Sequence, residues 1–220
     1  MIVCLSPGGQ MISMGEAPNN RLLVGASKGF LSFTRNNDAW SQEENLLPGE
    51  HVSALLLEPA SGTLFAGTYG EALYASKDLG RSWERRDRGI GGLEIYTLNC
   101  QQVGGRARVY AGTQPAHLFY SDDLGQNWTE LPGLRQVPGV EKWTFPGPPH
   151  QAHVKSLAFD QRRPDTIYAA VEVGGFLKSN DGGRSWKPIP GLNPDAHRLF
   201  APASDPGKIY LVMPTTNSGA

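Results

Sequence analysis

The chain has 220 residues, and its 20 Lys and Arg against 21 Asp and Glu leave a formal net charge of -1. This balance argues against a protein whose main task is to bind nucleic acid or an anionic membrane, because such binding usually depends on clustered basic charge. With 39% hydrophobic and 9% aromatic residues, the chain has enough apolar material for a core, which excludes global disorder. Its 27 Gly and 17 Pro are spread along the chain, which is typical of frequent turns between short strands.

The start of the chain shows no targeting signal. Residues 1–9 lack the basic region of a signal peptide, and no segment approaches the roughly 18 consecutive apolar residues that span a bilayer. We therefore expect a cytoplasmic protein with no membrane partner. The two cysteines, Cys4 and Cys100, have neither zinc-site nor redox spacing, so we expect no metal and no cofactor.

Units of four short strands follow one another along the chain. The first covers about residues 10–48. The second, at about 49–91, predicts strands at 51–58, 62–68, 72–76 and from 82 to 85. The third and fourth units cover about 92–139 and 140–192, and a partial fifth covers 193–220.

Three gapless copies of one octet mark the turn before the last strand of units two to four. Each reads Ser-x-Asp-x-Gly-x-x-Trp, and the copies are Ser76, Asp78, Gly80 and Trp83; Ser121, Asp123, Gly125 and Trp128; and Ser179, Asp181, Gly183 and Trp186. Trp40 is predicted to occupy the same repeat position in the first unit. There the octet is one residue short, so we expect a remodelled hairpin.

The octet resembles the Asp-box, or BNR repeat, of sialidases, sortilin-type receptors, xyloglucanase-like glycosidases and photosystem II assembly factors. The resemblance runs from about residue 10 to the end and is closest to bacterial proteins named glycosyl hydrolase or exo-alpha-sialidase-like. It implies an all-β protein, a β-propeller of four-stranded antiparallel blades with about four and a half blades present. These families share the repeat and differ in chemistry, so the resemblance implies a fold more than an activity.

Each octet also has a purely structural interpretation. The Asp carboxylate can accept backbone N–H groups of its own turn, Gly can adopt positive φ, and Trp can pack into the adjoining core. We therefore interpret Asp78, Asp123 and Asp181 as structural, and neither as catalytic residues nor as calcium ligands.

The fifth unit stops after two predicted strands, at residues 197–204 and 208–213. Asp-box propellers mostly close with six to eight blades, so the resemblance implies a truncated propeller in a single domain over residues 1–220. A homodimer that pairs across the open edge is the alternative.

Candidate ligand-binding residues lie on the loop face opposite the octets. The turns between the second and third strands carry Tyr69, Glu71, Gln114, His117 and Glu172. At the starts of the innermost strands, the repeat alignment places His51, Glu94 and His153 in equivalent positions near the central channel. A wet, polar channel mouth explains the same residues without a ligand.

An insertion at residues 135–150 lengthens the fourth unit by about 13 residues over the usual spacing of about 45. Its four prolines keep it extended, and it contains the aromatic residues Trp143 and Phe145. Trp143 either caps the core under the loop or forms a stacking platform for a sugar or peptide.

Two functions remain open. The first is a non-catalytic scaffold that binds a protein or glycan through the loop face. The alternative is a glycoside hydrolase, with Glu71, Glu94 and Glu172 as candidate carboxylates, since hydrolysis needs two of them across the substrate. The Arg-Ile-Pro motif of sialidases is absent from the sequence, so sialic acid recognition loses its usual arginine. We predict a binding scaffold with no nucleic acid partner.

Overall fold

The computed structural model describes residues 2–8, 12–14, 20–202 and 204–214. Within them, regular structure consists of nineteen strands and two short 3-10 helical turns. None of the described helical segments is long or apolar enough to cross a membrane. The prediction of an all-β protein is confirmed.

The first sheet has five strands in the order β2-β1-β3-β4-β5. The strands are β1 Ile2–Leu5, β2 Ile12–Met14, β3 Arg21–Ala26, β4 Gly29–Asn36 and β5 Ala39–Leu46. Strand β1 pairs in parallel with β3 and lies before the predicted start of the first unit at residue 10. A four-residue apolar run next to Pro7 and Gly8 carried too weak a pattern to be predicted as a strand.

The second sheet is an antiparallel meander in the order β6-β7-β8-β9. Its strands are β6 Val52–Leu57, β7 Leu64–Thr68, β8 Leu73–Ser76 and β9 Glu84–Arg85. Every residue of β6 and β7 is buried, whereas both residues of β9 are exposed. The inner strands are therefore fully buried and mostly apolar, with Ser53 and Thr68 as buried polar residues, whereas the short outer strand is polar and exposed.

The third and fourth sheets repeat this meander, in the orders β10-β11-β12-β13 and β14-β15-β16-β17. Strands β18 and β19 form a final two-stranded sheet. The bounds are β10 Glu94–Val103, β11 Arg106–Gln114, β12 Leu118–Ser121, β13 Thr129–Glu130, β14 His153–Phe159, β15 Ile167–Glu172, β16 Gly175–Ser179, β17 Lys187–Pro188, β18 Arg198–Phe200 and β19 Tyr210–Val212. The 3-10 turns Pro132–Gln136 and Val140–Lys142 lie between β13 and β14.

The chain forms two compact units, one of residues 1–111 and 120–129 and the other of residues 112–119 and 130–220. A core cluster of the first unit contains Leu23, Phe30, Val52, Leu55, Leu57, Leu64 and Ala66. A core cluster of the second contains Ala158, Ala170, Phe176, Ala196 and Leu199. Both clusters draw on inner strands, where the apolar runs of the sequence are longest.

All three octets close the same set of hydrogen bonds. In the first, the Ser76 hydroxyl donates to Asp78 at 2.7 Å and accepts the Gly80 backbone N–H at 2.8 Å. Both Asp78 oxygens are used, because Ser82 donates its backbone N–H to Oδ1 at 2.9 Å and its hydroxyl to Oδ2 at 2.6 Å. Gly80 has a φ of 91°, and a Cβ there would lie 2.3 Å from the Phe30 ring, so only glycine fits.

These bonds lower the pKa of the octet carboxylates. Hydrogen bonds from Ser82 bring the pKa of Asp78 to about 2, and those from Ser185 bring the pKa of Asp181 to about 2. Each carboxylate is therefore a fixed acceptor inside its own turn.

The octet tryptophans differ in their surroundings. Trp128 and Trp186 are both 5% exposed, and their indole N–H groups donate to the Arg86 carbonyl at 2.8 Å and the Gly183 carbonyl at 3.0 Å. Trp83 packs edge-on against Phe30 with 5.1 Å between ring centroids. Its indole N–H is buried and has no acceptor within the described residues.

Trp40 does not occupy the repeat position. It lies on β5, opposite Arg35 of β4, and is 44% exposed. Because the octet is one residue short here, a two-residue turn at 37–38 joins β4 directly to β5. The prediction for Trp40 was wrong, and the expectation of a remodelled hairpin is confirmed.

Candidate functional site

The hairpin between β11 and β12 carries His117, whose ring lies between the side chains of Glu130 and Arg135. Nδ1 of His117 lies 2.6 Å from Oε1 of Glu130, and Nε2 lies 3.0 Å from Nη1 of Arg135. A guanidinium can only donate, so Nε2 accepts and Nδ1 carries the proton that is donated to Glu130. The chain Glu130–His117–Arg135 therefore fixes the imidazole tautomer and holds the guanidinium in place.

A groove of about 420 Å³ opens beside this chain of contacts. It lies between the β11–β12 hairpin and the 135–150 insertion, and its lining includes His117, Arg135, Trp143, His150 and Gln151. None of its lining residues is acidic. The lining of the groove therefore combines a cationic side chain, Arg135, with an aromatic one, Trp143.

The two aromatic residues of the insertion have different roles. Trp143 is half-buried and lies against the β15–β16 turn, where a Cβ at Gly174 would come within 3.1 Å of its ring. It also lines the groove, so it combines packing with exposure of ring surface. Phe145 instead packs edge-on against His153, with 5.1 Å between ring centroids.

His153 and Glu172 face each other across the β14–β15 pair. Oε2 of Glu172 lies 2.6 Å from Nε2 of His153 and 2.8 Å from Nζ of Lys155. Burial lowers the pKa of His153, although the hydrogen bond with Glu172 and the charge of Glu172 act to raise it. Burial alone would raise the pKa of Glu172, but the hydrogen bonds from His153 and Lys155 lower it to about 2.

The other oxygen of Glu172 belongs to a second set of contacts. Oε1 lies 3.8 Å from Nε2 of His197, which in turn lies 3.0 Å from Oδ1 of Asp195. The ligating atoms of these three side chains all lie within 4.8 Å of one another.

In the first compact unit, aromatic and acidic side chains surround His51. The His51 ring contacts Tyr69 at 4.5 Å between centroids, and Tyr69 contacts Tyr96 at 4.6 Å. Burial and then the charge of Glu71 raise the pKa of Glu94, whereas His51 lowers it. Glu71 itself lies in the β7–β8 turn with a φ of 60°.

The predicted residues thus fall into separate groups. His117 and Trp143 line the groove; Phe145, His153 and Glu172 adjoin one another; and His51, Tyr69, Glu71 and Glu94 interact in the first unit. Sequence reasoning did not single out Glu130, Arg135, His150, Lys155, Asp195 or Tyr96. Tyr96 lies two residues after Glu94 and so on the same face of the strand. This spacing could have identified Tyr96 as a further candidate. Arg135 opens the proline-rich insertion, the one signal that pointed to it.

The comparisons with known proteins support the repeat and the fold. A sequence profile described as the BNR/Asp-box repeat matches residues 119–130, which contain the second octet. No curated protein sequence matches the chain.

The solved structures similar to the chain include a xyloglucanase, an extracellular domain and a peptide complex. A GH74 xyloglucanase from Xanthomonas campestris has 14% identity and a TM-score of 0.59, with 87% of this chain and 35% of that chain covered. The extracellular domain of a hybrid two-component system from B. thetaiotaomicron has 14% identity and a TM-score of 0.64, with 96% of this chain and 26% of that chain covered. YCF48 bound to D1 peptide has 16% identity and a TM-score of 0.59, with 92% of this chain and 65% of that chain covered.

At these identities the likeness concerns the fold alone. The chain spans about a third or less of the xyloglucanase and of the two-component system domain, and about two thirds of YCF48. These neighbours include a xyloglucanase, the extracellular domain of a two-component system and a peptide-bound protein. The chain carries the BNR/Asp-box repeat and has the β-propeller fold of these structures.

Proposed function

We propose that this chain is a non-catalytic binding domain that holds an acidic peptide segment in the groove beside the 135–150 insertion. The observation that carries the proposal is the Arg135 side chain, which lines the same groove as Trp143. Within the described residues, Arg135 contacts His117 and forms no ion pair with a carboxylate.

The guanidinium is suited to capture a carboxylate. It has five N–H donors in a planar fork, and the contact with His117 occupies one nitrogen. The remaining donors can grip a carboxylate through two parallel hydrogen bonds. Because Glu130 and His117 already hold the side chain, little conformational entropy is lost when the ligand binds.

Trp143 supplies the apolar part of the site. Its half-buried ring offers a flat surface to an aliphatic or aromatic side chain of the peptide. The groove volume of about 420 Å³ falls within the roughly 300–1,000 Å³ of typical ligand pockets. The prolines of the insertion limit its freedom before binding, which also favours affinity.

A peptide fits this groove better than a glycan that is to be hydrolysed. Glycoside hydrolysis needs two carboxyl groups around the scissile bond, and the groove lining contains none. YCF48 has been solved bound to a D1 peptide, so a protein of this fold can hold a peptide.

The test measures peptide binding to the purified chain by fluorescence anisotropy. The labelled peptides are rich in Asp and Glu, and the comparison peptides carry Asn and Gln at the same positions. We expect acidic peptides to bind. Arg135→Ala should lower their affinity at least about tenfold, since charge-assisted hydrogen bonds contribute roughly 1.5–3 kcal/mol. Arg162→Ala, an exposed arginine of the same unit outside the groove, is the matched control. Equal affinity for acidic and amidated peptides, or equal loss in both variants, would refute the proposal.

A second candidate function is glycoside hydrolysis at Glu71 and Glu94 in the first unit. It is favoured by the closeness of two carboxyl groups, because burial and the charge of Glu71 both raise the pKa of Glu94, which is the direction that a general acid needs. The test is turnover of a glycan panel by the wild type, Glu71→Gln, Glu94→Gln and, as control, the exposed Glu141→Gln. Turnover that disappears in the first two variants alone would establish hydrolysis, and no turnover by the wild type would exclude it.

A further inference from the structure

Three metal-ligating side chains converge between the end of β15 and the start of β18. We propose that Oε1 of Glu172, Oδ1 of Asp195 and Nε2 of His197 form a binding site for a divalent transition-metal ion of the zinc type. The site does not depend on the peptide groove, since none of the three residues lines it. The sequence predicted no metal, because Glu172 lies in a different element from the other two and the three show no ligand motif.

The distances suit one ion. Zinc binds imidazole nitrogen and carboxylate oxygen at about 2.0–2.2 Å, so the ligand atoms of a tetrahedral site lie about 3.3–3.6 Å apart. The observed separations of 3.0 Å between His197 and Asp195 and 3.8 Å between His197 and Glu172 bracket this range. The third pair, Asp195 and Glu172, has ligand atoms within 4.8 Å of each other. Modest side-chain rotations would therefore bring all three atoms to bonding distance.

Glu172 is held in the orientation that a ligand needs. The residue is 9% exposed, and its Oε2 is fixed by Nε2 of His153 and Nζ of Lys155 at 2.6 and 2.8 Å. Oε1 is thereby turned towards His197 and, in the described part of the chain, accepts no hydrogen bond. Fixing one carboxylate oxygen so that the other faces the ion is how neighbouring groups orient the ligands of a metal.

The two partly exposed ligands, Asp195 and His197, are also anchored through their backbone. The Asp195 N–H donates to Oδ1 of Asn193 at 2.9 Å, and the His197 N–H donates to the Val212 carbonyl at 3.0 Å. The Asp195 and His197 side chains are 36% and 43% exposed, which gives an ion access from solvent. Three protein ligands leave the fourth position of a tetrahedral ion open for water.

The donor set selects the class of ion. One imidazole with two carboxylates suits zinc and its first-row neighbours, whereas calcium requires six to eight oxygen ligands. The Lys155 ammonium offsets one of the two carboxylate charges.

The experiment is calorimetric titration of Zn²⁺ into the chelator-treated full chain, with Ca²⁺ titrated in parallel. We expect one zinc equivalent per chain, no calcium binding, and at least tenfold weaker zinc binding in both His197→Ala and Asp195→Asn. His150→Ala is the matched control, since His150 is an exposed histidine of the same unit outside the cluster. Thermal melts establish that the variants fold.

Binding of Co²⁺ gives an independent readout, because a tetrahedral site produces an intense visible absorption band that a loosely bound surface ion lacks. We expect the band in the wild type and in His150→Ala, and its loss in His197→Ala. The proposal is overturned if the wild type binds no zinc, if His150→Ala weakens binding as much as His197→Ala does, or if Ca²⁺ binds as tightly as Zn²⁺.

Discussion

The Ser121 hydroxyl donates to the Asp123 carboxylate at 2.7 Å, the same distance that separates the corresponding pair in each of the other two octets. The bond ties the end of one strand to the turn that follows it. Since the contacts recur in three different sheets, the octet is a self-contained turn whose geometry is independent of what surrounds it.

Removing an octet carboxylate should destabilise its turn. Asp181→Ala deletes the acceptor of the Ser179 hydroxyl and of the Ser185 backbone N–H, and we expect a loss of about 1–3 kcal/mol in the free energy of unfolding. Urea denaturation measures it. Asn180→Ala changes the exposed neighbour and should stay within about 0.5 kcal/mol; equal effects of the two variants would contradict this role for Asp181.

The octets should also make stability depend on acid pH. The pKa of Asp78 and of Asp181 is about 2 in the folded protein against 3.8 for an ordinary Asp. A lowered pKa contributes stability that is fully present above pH 4 and is lost as the pH falls towards 2. Urea midpoints at pH 5, 4, 3 and 2.5 should fall in the wild type and fall less steeply in Asp181→Asn. Parallel profiles would show that these carboxylates are not the cause.

Tryptophans at the octets and outside them should differ in their contribution to stability. Trp128→Ala removes a buried indole together with its hydrogen bond to the Arg86 carbonyl, and we expect a loss of about 3–5 kcal/mol. Trp40→Ala removes a ring that is 44% exposed and should cost well under half as much. Thermal and urea unfolding of the two variants test the difference, which would vanish if Trp40 packed as an octet tryptophan does.

The Cys100 thiol, which is only partly buried, should react slowly while the protein is folded. Burial, and then the charge of Glu58, raise the pKa of its thiol to about 12, so almost no thiolate exists at pH 8. In a Cys4→Ser variant, we expect a disulfide reagent to modify the thiol much more slowly in buffer than in urea, where one equivalent reacts. Rapid labelling of the folded variant would show that the thiol is accessible.

The parts of the fold that sequence predicts are those set by local contacts. The octet bonds join residues two to four positions apart, for example Asp78 and Ser82, so their pattern survives in the sequence. Strand β1 was missed because its place beside β3 depends on a parallel pairing that no local turn encodes. Trp40 was misplaced because one missing residue replaces an octet with a two-residue turn.

The site was predicted less completely for the same reason. Repeat alignment placed His153 and Glu172 on the loop face, but their contact joins residues 19 positions apart and follows from the β14–β15 register. Arg135 reaches His117 across 18 positions, through an insertion that has no counterpart in the other repeats. Such contacts depend on how irregular loops fold, and composition and spacing carry little information about that.

The lengths of the outermost strands determine where another molecule could extend a sheet. Strands β9, β13 and β17 are each two residues long, so they expose almost no unpaired backbone N–H and C=O groups to another chain. Strand β5 is eight residues long, ends its sheet and displays Trp40. Each sheet that has the octet thus ends in a two-residue strand, whereas the first sheet, which lacks it, ends in an eight-residue strand. A long edge strand is the kind on which sheets pair with one another, so we expect any self-association to begin at β5.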